Sequence, residues 1–132
     1  MASRRKGRIL AFQALYAWDI SDDAPDLNTL DDFSRLLVSG AIENIAAIDK
    51  MIRKHLENWD FSRLNRVDLA ILRMSVYALM FQKETAPSIV INEAIGISKD
   101  FGTDDSYRFI NGVLDGIRKT LANGNQLEKD RS

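Results

Sequence analysis

The stretch Arg66 to Phe81, RVDLAILRMSVYALMF, leaves a chain few ways to fold. Val67, Ile71, Met74, Ala78 and Phe81 recur at helical spacing, and Leu69, Leu72, Val76, Leu79 and Met80 fill most of the remaining circumference. A helix that is apolar nearly all round must be covered on nearly all sides. It is too short, and with Asp68 and Arg73 too polar, to span a bilayer, which takes roughly 20 apolar residues. Leaving it in water would cost about 1.5 to 3 kcal/mol for each large apolar side chain. The rest of the chain must therefore supply amphipathic helices that wrap it.

The chain has the material to do so. Its 132 residues, 45% apolar and 28% charged, fit one domain with a sizeable core. There is no cysteine, which removes disulfides and thiolate metal sites and agrees with a cytoplasmic location. The single histidine, His55, cannot build a metal cluster alone, and nothing in the sequence calls for a cofactor. The basic N-terminus resembles a secretory leader only superficially, because Gln13, Tyr16, Trp18 and Asp19 interrupt its apolar run. Net charge is −1, but unevenly spread: Arg4, Arg5, Lys6 and Arg8 precede an acidic series from Asp19 to Asp32.

Taken in order, Ser3 caps a first helix through about Ile20, with Ile9, Phe12, Leu15 and Tyr16 on its apolar face. A loop around Pro25 leads, with a cap at Asn28 or Thr29, into a short helix from Leu30 to Val38. Gly40 is expected to break the chain before a second core helix from Ala41 to Leu56. Asn58 to Arg63 reads as a connector pinned to the core by Trp59 and Phe61. After the central helix, Pro87 opens a helix that ends at Gly102. The stretch Thr103 to Ser106 offers several N-cap candidates for a last helix, Tyr107 to Leu121, and capping is the favoured reading of Asp104 and Asp105; a polar, frayed tail follows from about residue 122. The fold class is all-α, with six or seven helices in one domain.

The sharpest candidate site is the cluster SRRKGR. Arginines donate forked hydrogen bonds to phosphate oxygens, and Gln13 and Tyr16 on the same helix add an amide and a stacking face suited to single-stranded RNA. A solvated basic end that only aids solubility is an equal alternative. Gly112 and Gly116 share one face of the last helix, where helix packing is the default reading. Asp68, an acid on a helix that must be buried, needs either an internal partner, Arg66 or Arg73, or a group on another protein.

Four blocks in order, SRRKGRILAFQALYAW, RVDLAILRMSVYALMF, PSIVINEAIGISKDFG and DSYRFINGVLD, resemble the NusB family of bacterial transcription antitermination factors over nearly the whole chain. The resemblance implies two packed helical bundles and no enzymatic activity. It implies binding to the single-stranded boxA element of nascent ribosomal RNA together with ribosomal protein uS10 (NusE), within an RNA polymerase antitermination complex. It carries RNA binding onto Arg4, Arg5 and Arg8, with Lys6 between them, and onto Tyr16, Asp105 and Phe109, and the NusE contact onto Asp68. Gly7 stands where alanine is common and is expected to loosen the first helix by up to about 1 kcal/mol. Gly96 replaces a better helix former, and Tyr107 and Arg108 stand where histidine and lysine are often seen.

Two other readings compete. Related domains accompany ribosomal RNA cytosine methyltransferases, but this chain has no room for a cofactor-binding domain and no cysteine nucleophile. A purely protein-binding helical domain is the other. An exposed helix face also leaves a homodimer open.

Overall fold

The computed structural model of the protein describes residues 3–131, with side-chain surroundings through residue 124. Six α-helices follow one another: α1 Arg4–Ser21, α2 Asp32–Glu43, α3 Ile45–Lys54, α4 Arg66–Phe81, α5 Pro87–Phe101 and α6 Ser106–Arg131. Two single-turn 3₁₀ segments, Leu27–Thr29 and Phe61–Arg63, sit in the connections. No strand occurs among the described residues, and none of their helices is long and apolar enough to cross a membrane.

The centre of the molecule is α4. Every residue from Asp68 to Leu79 is buried, and α4 touches each of the other five helices. On one side it meets α1, α2 and α3; on the other it meets α5 and α6, which also pack on each other. The two helical groups share one continuous core in which Leu15, Leu37, Ile48, Ile52, Leu69, Ile71, Leu72, Ile97, Ile110, Leu114 and Ile117 are among the fully enclosed side chains. The all-round apolar pattern of α4 has its explanation in this position.

Helix starts follow local hydrogen bonding. The Ser3 hydroxyl accepts from the Lys6 N–H at 3.1 Å and caps α1. Asn65 caps α4 through the N–H groups of Val67 and Asp68. Pro87 occupies the first turn of α5, where its missing N–H costs nothing. Ahead of α6 the Ser106 hydroxyl accepts from the Thr103 N–H at 2.9 Å and the Ser106 N–H donates to the Thr103 carbonyl at 3.1 Å, closing the turn that leads into the helix. The carboxylates of Asp104 and Asp105 make no hydrogen bond among the described residues.

Several expected boundaries move. The cap of α2 is Asp31, not Asn28 or Thr29, and accepts from Ser34 N–H at 2.7 Å. Gly40 lies inside α2, and the break falls at Asn44, four residues later. Its missing side chain serves packing: a Cβ there would lie 2.2 Å from the Tyr77 ring of α4. Trp59 is not pinned in the core but is 61% exposed, following Asn58 in a left-handed conformation at φ 63°. The last helix continues past Leu121 to Arg131, and the side chains of the expected tail beyond residue 124 lie outside the described residues. Gly116 receives the His55 ring, which bonds to Thr120 at 2.8 Å and joins α3 to α6, whereas Gly112 faces open space.

Candidate nucleic-acid interface

Arg4, Gly7 and Arg8 fall three and four residues apart and share one face of α1. Against this face lies Phe33 from the first turn of α2. The Arg4 guanidinium carbon is 4.1 Å from the centroid of the Phe33 ring and that of Arg8 is 5.2 Å away, both within cation–π range. Gly7 makes the seat: a Cβ on it would stand 2.8 Å from the ring. The buried Ser34 hydroxyl donates to the Gly7 carbonyl at 2.9 Å and fixes α2 to α1 at the same level. The expected loosening of α1 at Gly7 is thus answered by a close helix contact that alanine would obstruct.

Arg5 takes a different path. It pairs with Glu93 of α5, and its guanidinium lies over Gly96, where any Cβ would collide with it. Burial draws the Arg8 guanidinium below its ordinary pKa, and the nearby Glu93 charge opposes that shift. Arg4 and Arg8 make no salt bridge among the described residues, and Lys6 points to solvent. A groove of about 1100 Å³ opens beside them, lined by Arg4, Arg8, Phe33, the exposed Leu36 and Ile89, and the carboxylates of Asp31, Asp32, Glu84 and Glu93.

The remaining predicted residues gather farther along. Gln13 is exposed and Tyr16 half-buried on α1, about 18 Å along the axis from Arg4 at the usual helical rise. Phe12 packs edge-on against Phe101 at the end of α5, and Asp19 pairs with Arg66 at the start of α4. Phe109 lies in the first turn of α6, which the exposed Asp105 precedes. The ring of Phe109 sits 5.5 Å from that of Trp59, forming an aromatic patch open to solvent. Beside it, Lys99 and Arg108 both lie against the Tyr107 ring, at 4.9 and 5.3 Å.

Asp68 is 6% exposed, and one of its carboxylate oxygens is enclosed without a hydrogen-bond partner. Neither expected arginine reaches it. Arg73 bonds to Asp49 through two contacts of 2.9 Å and approaches Asp19 at 3.3 Å, while Arg66 pairs with Asp19. Burial pushes the Asp68 carboxyl up from the usual range, with the Ser106 hydroxyl pulling the other way. The internal ion pair is excluded by this geometry.

Sequence reasoning missed Phe33 and Glu93 because both come from other helices. The only signal was a glycine set between arginines three residues before and one after it. Trp59 was noticed but assigned to the core, since a tryptophan in a connector normally pays for its size by burial.

This arrangement belongs with known proteins. The NusB family model matches residues 5–119. The transcription antitermination protein NusB of Treponema denticola is 53% identical over 129 residues, covering 87% of this chain and 95% of the relative. That of Nitratiruptor is 42% identical and covers 96% of this chain and 99% of its own. Among solved structures, T. maritima NusB superposes with a TM-score of 0.80 at 35% identity, covering 89% of this chain and 92% of that one. A crystal structure of antitermination factors NusB and NusE in complex with double-stranded RNA matches at a TM-score of 0.78 and 29% identity, covering 89% and 96%. Matched in sequence over most of its length and in fold throughout the helical core, the chain belongs to the NusB family.

Proposed function

We propose that this protein is a non-enzymatic transcription antitermination factor that binds single-stranded boxA RNA of nascent ribosomal RNA jointly with ribosomal protein uS10 (NusE), promoting processive transcription of ribosomal RNA operons in the cytoplasm. The observation that carries the reading is the pair Arg4 and Arg8, neither in a salt bridge with a described carboxylate, at the rim of an open groove. Guanidiniums that stack by their faces keep their N–H edges for phosphate. RNA would run from this end of α1 past Lys6, Gln13 and Tyr16 to Asp105 and Phe109, with Trp59 widening the stacking surface. Arg5 would contribute only after exchanging Glu93 for a phosphate. Asp68, enclosed with one carboxylate oxygen lacking a partner, is the point assigned to NusE, where a partner donor would satisfy that oxygen. The solved complex of NusB and NusE with double-stranded RNA supports NusE and RNA as partners of a family member.

The test is fluorescence anisotropy of a boxA-like single-stranded RNA and a scrambled control, with and without NusE, across salt. Three available cations, Arg4, Lys6 and Arg8, give a log–log salt slope of about −2. Reversal of Arg4, Arg5 and Arg8 to glutamate abolishes RNA binding and leaves the NusE complex intact. Tight binding that ignores salt and survives the reversal contradicts the reading.

A further inference from the structure

We propose that Phe33, seated on Gly7, is a positioning residue of the RNA site: its ring holds the Arg4 and Arg8 guanidiniums out of reach of the surrounding carboxylates and keeps their donors available to phosphate. The inference rests on the RNA-binding reading above, which does not itself involve Phe33.

The groove poses an electrostatic problem. Asp31, Asp32, Glu84 and Glu93 line the same wall as Arg4 and Arg8. Arginine side chains are long and flexible, and an arginine free to swing here would fold onto one of these acids, as Arg5 does onto Glu93. A neutralised guanidinium releases no counterion and offers fewer donors to RNA. Arg4 and Arg8 instead lie against one aromatic ring, at 4.1 and 5.2 Å from its centroid. A ring holds a guanidinium by its face without adding charge, so the positive field survives and the edge donors stay unspent.

The ring is itself held. Phe33 follows directly on Asp31 and Asp32 at the start of α2, where the Asp31 cap orders the first turn. Ser34, the next residue, is locked to the Gly7 carbonyl by a buried hydrogen bond. A methyl group at position 7 would meet the ring first, at 2.8 Å from the Phe33 Cδ2, and would also press on the Ser34 hydroxyl at 3.1 Å. Gly7 and Phe33 therefore act as one unit, and the glycine between the arginines is part of the site.

The experiment pairs two readouts on the full chain. In the free protein, NMR of the arginine side chains reports ring currents: Arg4 and Arg8 methylene protons are shifted upfield in the parent and in Phe33→Tyr, and lose the shift in Phe33→Leu, which keeps apolar bulk, and in Gly7→Ala. In anisotropy with the boxA-like RNA, Phe33→Leu and Gly7→Ala bind about three- to tenfold more weakly, while Phe33→Tyr stays within about twofold of the parent. Gly7→Ala keeps α1 helical, because alanine favours helix, but it also presses on the Ser34 hydroxyl, so Phe33→Leu, which leaves position 7 untouched, is the variant that decides. The proposal is overturned if the parent shows no ring-current shift, if Phe33→Leu binds RNA like the parent, or if Phe33→Tyr loses as much affinity as Phe33→Leu. If reversal of the three arginines leaves RNA binding intact, the RNA reading itself fails and takes the proposal with it; if reversal abolishes binding and Phe33→Leu does not change it, the proposal alone fails.

Discussion

Asp68 shows at the level of one residue what an acid costs inside an apolar core. Its position in the first turn of α4 favours a negative charge through the helix dipole, by about 0.3 to 1 kcal/mol. Its burial, with an oxygen left without a partner, costs more, and the carboxyl is pushed up accordingly. A carboxyl whose pKa is raised on folding favours the folded state below the usual carboxylate range, and that advantage is lost as pH rises through the raised value. Asp68→Asn, which carries no charge to desolvate, therefore gains up to about 1 kcal/mol over the parent near neutral pH and nothing near pH 3. Urea denaturation of both proteins at about pH 3 and about pH 7 decides it, and an equal difference at the two pH values refutes the desolvation account. The sequence marks Asp68 as an acid out of place among apolar neighbours. That it lacks a partner is not legible there, because Arg66 and Arg73 are near in sequence but committed to Asp19 and Asp49, on helices whose placement only the fold reveals.

At the scale of elements, the helices announced by continuous apolar periodicity are readable, whereas a glycine inside a helix misplaces a boundary. The bounds of α4 follow from its pattern, and Pro87 and Gly102 delimit α5. Gly40 misleads because a glycine has two uses, ending a helix or admitting a neighbour, and one sequence does not distinguish them. Here it admits Tyr77, and Gly7 and Gly96 likewise admit Phe33 and Arg5. The two uses predict opposite signs on substitution. Helix propensity alone would have Gly40→Ala stabilise α2 by about 1 kcal/mol. Overpacking against a ring only 2.2 Å from the new Cβ costs about 1 to 3 kcal/mol and displaces a side chain buried in the core. We expect a net loss in thermal stability, with partial recovery in the double variant Gly40→Ala, Tyr77→Leu; a gain in the single variant would show that the α2–α4 contact is looser than the geometry implies. The proposed RNA site is readable only where it lies on one helix: Arg4, Lys6 and Arg8 follow from local spacing, whereas Phe33 and Glu93 reach α1 across the fold.

For the molecule as a whole, the question is what fixes α1, the carrier of the basic cluster, against the centre. Apolar packing of Ala11, Phe12 and Leu15 supplies affinity for α4 but little orientation, since such contacts are non-directional. Direction comes from Arg73, a buried cation on α4 that bonds to Asp49 on α3 and reaches Asp19 on α1, with its guanidinium also beside Trp18 and Phe61. Its pKa is raised despite burial, because the two carboxylates outweigh the loss of solvent. The contacts are unequal. Asp49 receives two bonds of 2.9 Å in a parallel fork, whereas Asp19 stands at 3.3 Å from an Nη1 that lacks hydrogen-bond geometry and also serves Arg66 at 3.5 Å. Removing the fork leaves a buried charge with one weak partner, so Asp49→Ala lowers stability by about 3 to 5 kcal/mol, and Asp19→Ala by about 1 kcal/mol. Arg73→Met, which removes the cation and keeps the stem, is milder than Asp49→Ala because both acids are near enough to the surface to find water, at 17% and 13% side-chain exposure. Denaturant midpoints of the three variants rank these costs, and Asp19→Ala equalling Asp49→Ala would mean that the Arg73 contact holds α1 as firmly as the fork holds α3. In that case Asp19→Ala would also alter the path of the RNA along α1, a change that footprinting of bound RNA near Tyr16 would register while contacts at Arg4 stayed in place.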